Sequence, residues 1–218
     1  MLVKDTMSTN LITIEPTIKI FDAVDLMRQH EIHRLPVVEN NRLIGLLTEG
    51  TIQEAMPSKA TSLSVYEMNY LLNKTTAADV MITDVATISE TCLLEDAIYQ
   101  MRTNNVGVLP VINEQKDLVG IITNNDIFDA FLELTGYYEA GTRIAIKIEN
   151  DHNGVLAKVT AILAEHDISI IQVVVYRKNQ APTIVFQTTA TDETALRQLI
   201  ESHGYVVESS FETSHKNR

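Results

Sequence analysis

The residues best suited to hold a sugar and a phosphate lie together in one short stretch. Residues 123–126, Thr-Asn-Asn-Asp, follow a predicted strand and open a predicted helix, so backbone N–H groups and the positive end of the helix dipole face this point. The Asp126 carboxylate could accept both hydroxyls of a ribose, and the Thr123 hydroxyl could reach a phosphate. The same Thr-x-x-Asp spacing is also that of a helix cap, which involves no ligand.

A basic pair, His33-Arg34, precedes the second predicted strand. From the residues alone it can be an exposed pair in which Arg34 bridges to a nearby Glu. A metal site at His30 and His33 is disfavoured, because no Cys or further His lies at ligand spacing.

The chain contains two copies of one repeated unit, with His33-Arg34 in the first copy and residues 123–126 in the second. Residues 32–52 return as residues 106–127, and twelve positions between Met7 and Val37 carry the same residue as the position 74 further along. Two copies of such a unit normally pair face to face, because neither buries its apolar surface alone. The site is therefore expected between them.

Apolar spacing predicts the same element order in both copies: strand, helix, strand, strand, helix. In the first copy these elements are 11–14, a helix capped by Thr17, 35–38, 43–47 and a helix from Thr48; in the second they are 85–88, 94–101, 109–112, 118–122 and 124–134. Cys92 is predicted to be a small core residue on the apolar face of a helix. Residues 57–76 are predicted to hold a short amphipathic helix, which docks on the pair or faces a partner subunit.

The hydrophobic-Pro strands (Leu35-Pro36 and Leu109-Pro110), the Gly-hydrophobic-hydrophobic-Thr segments (45–48 and 120–123) and Asp126 together resemble the CBS domain. Two in tandem resemble a Bateman module, over roughly residues 1–135. The stretch SKATSLSVYEMNYLL also resembles the inter-repeat segment of acetoin-utilisation AcuB-type CBS proteins. The resemblance implies that an adenosyl compound such as AMP, ADP, ATP or S-adenosylmethionine binds between the repeats, and that occupancy is passed to another domain.

The resemblance also implies one composite nucleotide site. Its predicted residues are Thr123 and Asp126 at the ribose with Asn124 beside them, Arg34 and His33 at the phosphate, and Thr83, Val85 and Pro110 around the adenine. The first copy carries Thr51 where the acid should be, and a hydroxyl cannot offer two acceptor oxygens to a diol. Its cleft is expected to be empty or differently occupied.

After Leu134 the periodicity changes, and the pattern strand, helix, strand, strand, helix, strand predicts a ferredoxin-like domain. The loop before its first helix resembles the turn of ACT domains, over about residues 142–212. Asn150, Asp151, Asn153 and Gly154 could hold a small zwitterion there; the alternative is a helix-entry turn shaped by Asx residues. Pairing of this domain with its own copy is the favoured role, which predicts a homodimer.

Composition narrows the remaining classes. The formal charge of −12, with only 17 Lys and Arg, gives no basic stripe for nucleic acid. No apolar run reaches the roughly 18 residues that span a bilayer, and the single cysteine suits a reducing cytoplasm. No Walker, nucleophile-elbow or zincin motif is present, which disfavours an enzyme.

The sequence thus predicts an α/β (α+β) protein: CBS repeats at 1–56 and 77–135, an inter-repeat segment at 57–76, a linker at 136–142, an ACT-like domain at 143–212 and a polar tail at 213–218. The predicted function is that of a non-enzymatic, cytoplasmic, homodimeric regulator of an unidentified protein, controlled by an adenine nucleotide and linked by resemblance to acetoin metabolism. The alternatives are sensing of cyclic di-AMP or an amino acid, and a structural subunit with vestigial clefts.

Overall fold

The protein is described by a computed structural model over residues 1–55, 74–178 and 181–216. The predicted inter-repeat helix falls largely outside the described residues. The chain divides into two compact units, Met1–Ile127 and Phe128–Arg218. No helix in the described part is long and apolar enough to cross a membrane.

The elements of the first unit follow the predicted order closely. In chain order they are α1 Ile20–Gln29, β1 Arg34–Glu39, β2 Arg42–Thr48, α2 Glu49–Ala55, α3 Ala77–Val80, β3 Ile88–Ser89, α4 Leu94–Asn104, β4 Val108–Ile112, β5 Leu118–Thr123 and α5 Asn124–Leu134, the last of which continues into the second unit.

The two repeats have the same internal pairing. Strands β1 and β2 form an antiparallel hairpin with a register shift after Val37, and β4 and β5 form another with a shift after Val111. A parallel partner joins each hairpin, as Ile14 opposite Val37 in the first repeat and Ile88 opposite Val111 in the second. The predicted strand 11–14 is therefore wrong, since only Ile14 makes a bridge there.

Two other local predictions are also wrong. The N-cap of α1 is Lys19 and not Thr17, because Lys19 bridges to Thr76 and keeps the chain extended up to Ile20. Cys92 lies in the bend before α4 and is only half-buried; the core positions of that helix are Leu94, Ala97 and Met101.

The N-terminal segment of each repeat crosses to the hairpin of the other. Ser8 pairs with Ile121 through two backbone hydrogen bonds of 2.9 and 3.0 Å, and Ile82 pairs with Leu46 through two of 2.9 Å. The residue before each bridge is a methionine, and its sulfur occupies the place that a side chain at a hairpin glycine would fill: Met7 at Gly120 and Met81 at Gly45. The repeats therefore exchange their first segments.

The second unit is a four-stranded antiparallel sheet with two helices. Its elements are β6 Gly141–Lys147, α6 Val155–Glu165, β7 Ile170–Lys178, β8 Ala181–Thr188, α7 Glu193–Ser202 and β9 Val206–Thr213. The strand order β7-β8-β6-β9 is that of a ferredoxin-like domain, as predicted. Phe186, Leu163 and Ile200 are among its fully buried core residues. Strand β7 lies at one edge of the sheet.

Candidate functional site

A cavity of about 480 Å³ lies between the two repeats and is called the inter-repeat cavity below. Ligand pockets in proteins typically span roughly 300–1,000 Å³. Both repeats contribute to its lining: Ser8, Asn10, Leu11, Ile12, Glu31, Ile32, His33, Arg34 and Pro36 from the first, and Gly107, Val108, Ile121, Thr123, Asn124, Asn125 and Asp126 from the second.

The first turn of α5 contributes to the lining of the inter-repeat cavity. The Thr123 amide and hydroxyl both donate to Oδ2 of Asp126, each at 2.7 Å, so the capping interpretation is correct. Thr76 makes the same two bonds to Asp79, which lower the pKa of Asp79. Only the Asp126 cap lines this cavity, and Oδ1 of Asp126 hydrogen-bonds to none of the described residues. Capping and ligand binding can therefore coexist in one carboxylate.

Next to Gly107 the cavity brings together two nitrogen groups from different repeats. If Gly107 carried a Cβ, that atom would lie 3.0 Å from Nδ2 of Asn124 and 3.5 Å from Nη2 of Arg34. The missing side chain thus leaves a space flanked by a carboxamide and a guanidinium. Donors converging on one point in this way suit an anion.

Arg34 bridges to no glutamate among the described residues, which corrects the alternative interpretation of the basic pair there. His33 makes that contact instead, with 3.1 Å between its Nδ1 and Oε1 of Glu49. Within residues 1–55, 74–178 and 181–216, no carboxylate forms an ion pair with Arg34. The guanidinium is available to an anion in the cavity.

The three residues predicted around the adenine do not line the inter-repeat cavity. Thr83 is exposed, Val85 is half-buried and Pro110 is buried opposite Ile121 in the β4–β5 hairpin. The exchange of N-terminal segments explains this, because it carries residues 8–12 of the first repeat to the second hairpin. The apolar lining includes Leu11 and Pro36, the counterparts of Val85 and Pro110 at the 74-residue offset.

Some lining residues are not among the predicted site residues, and the sequence pattern indicates them only in part. Leu11 and Pro36 occupy repeat-equivalent positions, but nothing in the spacing says whether a segment packs on its own hairpin or on the other one. Glu31 precedes the basic pair and has a left-handed backbone with φ of 54°. Five predicted residues do come together here: His33, Arg34, Thr123, Asn124 and Asp126.

The equivalent helix start in the first repeat is closed by hydroxyl groups. The Thr48 amide donates to Oγ1 of Thr51 at 3.1 Å, and Oγ1 of Thr51 donates to the Thr48 carbonyl at 3.0 Å. The cap is preserved without a carboxylate. The prediction that this cleft is empty or differently occupied stays a prediction.

The loop predicted as an ACT ligand site is held by an ion pair. Asp151 contacts Arg177 of β7 at 3.0 Å between Oδ2 and Nη1, and both side chains are partly exposed. Gly154 precedes α6 with a left-handed φ of 92°. Asn150 and Asn153 lie exposed in the same loop, whose role in ligand binding stays a prediction. In the described part of the chain, no three His, Cys, Asp or Glu residues gather as a metal-binding group.

Comparison with protein families assigns the repeated unit. A CBS-domain model matches residues 3–58 and 77–133, more than half of the chain. The chain belongs to the CBS-domain family. An ACT-domain model matches residues 142–206, so two CBS domains are followed by a C-terminal ACT domain. Both are regulatory modules.

Two curated relatives share the CBS pair. The CBS domain-containing protein YhcV of Bacillus subtilis is 34% identical over 125 residues, which cover 57% of this chain and 81% of YhcV. The uncharacterized protein MJ1225 of Methanocaldococcus jannaschii is 29% identical over 139 residues, covering 61% of this chain and only 49% of MJ1225. The chain thus spans about half the length of that relative. In other relatives the matching region belongs to an enzyme, as in 23% of the L-aspartate semialdehyde sulfurtransferase of M. jannaschii.

Solved structures of CBS pairs resemble the first part of the chain. The pair of protein MJ0100, in complex with 5′-methylthioadenosine and S-adenosyl-L-methionine, is 29% identical and has a TM-score of 0.50, covering 60% of this chain and 95% of that one. CBSX2 from Arabidopsis thaliana in complex with AMP is 25% identical with a TM-score of 0.50, covering 61% and 96%. A Vibrio cholerae protein assigned to acetoin utilization (AcuB) is 29% identical with a TM-score of 0.53, covering 64% and 98%.

Proposed function

We propose that this CBS–ACT protein is a non-enzymatic regulator that binds an adenine nucleotide in the inter-repeat cavity. The observation that carries the proposal is the pairing, within one cavity, of an anion space between Arg34 and Asn124 with the Asp126 carboxylate at the first turn of α5. The first group suits a phosphate, and Oδ1 of Asp126 suits a ribose hydroxyl. Leu11 and Pro36 offer an apolar surface to the adenine.

The structural relatives support this choice of ligand. Two CBS pairs that resemble this chain hold adenosine compounds: 5′-methylthioadenosine and S-adenosyl-L-methionine in MJ0100, and AMP in CBSX2. Those ligands share an adenosine and differ at the 5′ position. In this chain the 5′ group would face the space above Gly107.

We further propose that occupancy of the cavity is relayed to the ACT domain. Helix α5 begins with cavity-lining residues and continues as one helix to Leu134, inside the second compact unit. A ligand that orders the first turn of α5 therefore acts on an element that both units share. Such a relay requires different ligand affinities in two arrangements of the protein.

We propose that the protein works as a cytoplasmic homodimer, paired through the ACT domain. Strand β7 is an edge strand that exposes apolar side chains on both of its faces, with Val173, Val174, Val175 and Tyr176 each between 38% and 51% exposed. An apolar edge strand readily pairs with another chain, and a second copy of itself is the simplest complementary partner. The regulated protein, with an acetoin-related role suggested by the Vibrio cholerae relative, acts downstream of this dimer.

Isothermal titration calorimetry of the full chain tests the proposed ligand. AMP, adenosine, S-adenosylmethionine, cyclic di-AMP and a set of amino acids would each be titrated into the protein. Binding of AMP at a stoichiometry of one per chain is expected. Binding of cyclic di-AMP or an amino acid alone would instead support the corresponding alternative sensor, and the absence of heat with every compound would support a structural role.

A further inference from the structure

Resting on the nucleotide site proposed above, we infer that the inter-repeat cavity selects an adenosine ligand with a single phosphate and disfavours a second or third. The residues that decide this are two acidic groups close to Arg34 in the chain or through its neighbour: Glu31, which lines the cavity, and Glu49, which contacts His33. Neither residue is among those proposed above to contact the adenosine. The inference therefore concerns how many phosphates are tolerated at the edge of the cavity near residues 31–34, which is called the rim below.

The cavity provides one permanent cation for a phosphate. Among the described residues that line the cavity, Arg34 is the one Lys or Arg. No described carboxylate forms an ion pair with it. Asn124 adds a neutral donor on the other side of Gly107. One guanidinium with one carboxamide can compensate a monophosphate in part, but it leaves the added charges of a triphosphate without a partner.

The rim next to Arg34 is acidic. Glu31 lines the cavity, and Glu49 lies 3.1 Å from His33, which also lines it. A phosphate chain that extends past Arg34 along residues 31–34 therefore approaches two carboxylates, and the nearby histidine is already paired with one of them. The formal charge of −12 adds long-range repulsion of the same sign.

The size of the effect follows from solvent exposure. The side chain of Glu49 is 56% exposed, so its charge is screened by water and salt. Repulsion between exposed charges in this setting amounts to roughly a tenfold weaker affinity for ATP than for AMP at low ionic strength. Magnesium ions neutralise part of the triphosphate charge, so they are expected to narrow the difference.

The test is calorimetry with adenosine, AMP, ADP and ATP at low salt in the presence of EDTA. The expected order of affinity is AMP, then ADP, then ATP, and added magnesium chloride or 0.5 M salt should reduce the gap, since the Debye length falls well below roughly 10 Å. An ATP affinity equal to or above that of AMP in EDTA would overturn the inference while leaving the nucleotide site intact. Failure of all four compounds to bind would overturn the proposed site itself.

A variant without the two rim carboxylates tests whether they cause the preference for AMP over ATP. The double substitution Glu31→Gln and Glu49→Gln should raise ATP affinity several-fold more than it raises AMP affinity, since the added phosphates of ATP carry the charges that these two carboxylates repel. Glu39→Gln is the matched control, because Glu39 is an exposed acid of the same repeat that does not line the cavity. An unchanged ratio of AMP to ATP affinity in the double variant, with wild-type thermal stability, would contradict the assignment.

Discussion

At the residue level, Gly107 marks the functional difference between the two repeats. It occupies the position of His33, and in both repeats the carbonyl of this residue accepts a hydrogen bond of 3.2 Å from the first amide of the following helix, that of Asn124 or Glu49. The backbone role is therefore the same. The absence of a side chain at Gly107 leaves the space between Arg34 and Asn124 open.

Substitution of Gly107 by alanine should weaken AMP binding about five- to tenfold and leave adenosine binding unchanged. The new methyl group would lie 3.0 Å from the Asn124 carboxamide, so that donor must shift away from the phosphate, and the loss of a charge-assisted hydrogen bond costs about 1.5 kcal/mol or less. Gly50→Ala is the control, because its Cβ would meet only the Thr48 hydroxyl at 3.6 Å. Calorimetry decides, and an equal loss for adenosine would rule out a phosphate-specific effect.

Asp126→Asn tests the carboxylate separately from its capping role. An asparagine keeps an acceptor for the Thr123 amide and loses the charge, so affinity for AMP should fall about tenfold while stability falls by about 1 kcal/mol or less. Asp79→Asn is a closely matched control, since Thr76 donates its amide and hydroxyl to Asp79 at 2.8 and 2.7 Å.

Both variants would be compared at neutral pH by calorimetry and thermal unfolding. The hydrogen bonds from Thr76 lower the pKa of Asp79 in the folded protein, so its contribution to stability is present above the unfolded pKa and is lost as pH falls through the folded one. Similar losses of stability in the two variants, with AMP affinity reduced only by Asp126→Asn, are expected. Retained AMP affinity in Asp126→Asn would remove Asp126 from the site.

At the level of elements, the sequence predicts the parts of the fold but not their exchange. Helices and hairpins follow from apolar spacing within each repeat, and the cap at Thr123 and Asp126 is a local pattern of four residues, so both were predictable. The contact of Ser8 with Ile121 joins residues more than a hundred positions apart. Equivalent contacts within one repeat would satisfy the same sequence pattern, and for this reason the sequence does not reveal that Thr83, Val85 and Pro110 lie outside the lining of the inter-repeat cavity.

Gly120→Ala tests the crossing of the N-terminal segments. Its Cβ would overlap the sulfur of Met7, and crowding of this kind typically costs about 1–3 kcal/mol of stability. Met7→Ala alone should also destabilise the protein by lost packing, but the double variant should recover part of the loss, because the shorter side chain makes room. Chemical denaturation measures the cycle; strictly additive effects would show that Met7 does not contact Gly120.

At the level of the whole molecule, the proposed nucleotide binding and the proposed self-association belong to different units. The inter-repeat cavity is built by residues up to Asp126, whereas the apolar edge strand β7 belongs to the second unit. A substitution in β7 can therefore separate the two activities. If occupancy controls assembly, the two measurements must still be linked in the wild type, because coupling between sites is reciprocal.

Val175→Lys should shift the protein toward monomer without changing its affinity for AMP. Val175 pairs with Ile184 on one side and is 51% exposed, so a lysine there is tolerated in the monomer, whereas two facing copies would bury and oppose their charges. Val206→Lys, at 43% exposure on the opposite edge strand, is the matched control.

Sedimentation velocity with and without AMP measures both the monomer–dimer equilibrium and its response to the ligand. A Val175→Lys protein that stays dimeric would exclude β7 as the interface, and a wild-type dimer whose dissociation constant does not respond to AMP would exclude control of assembly by the ligand.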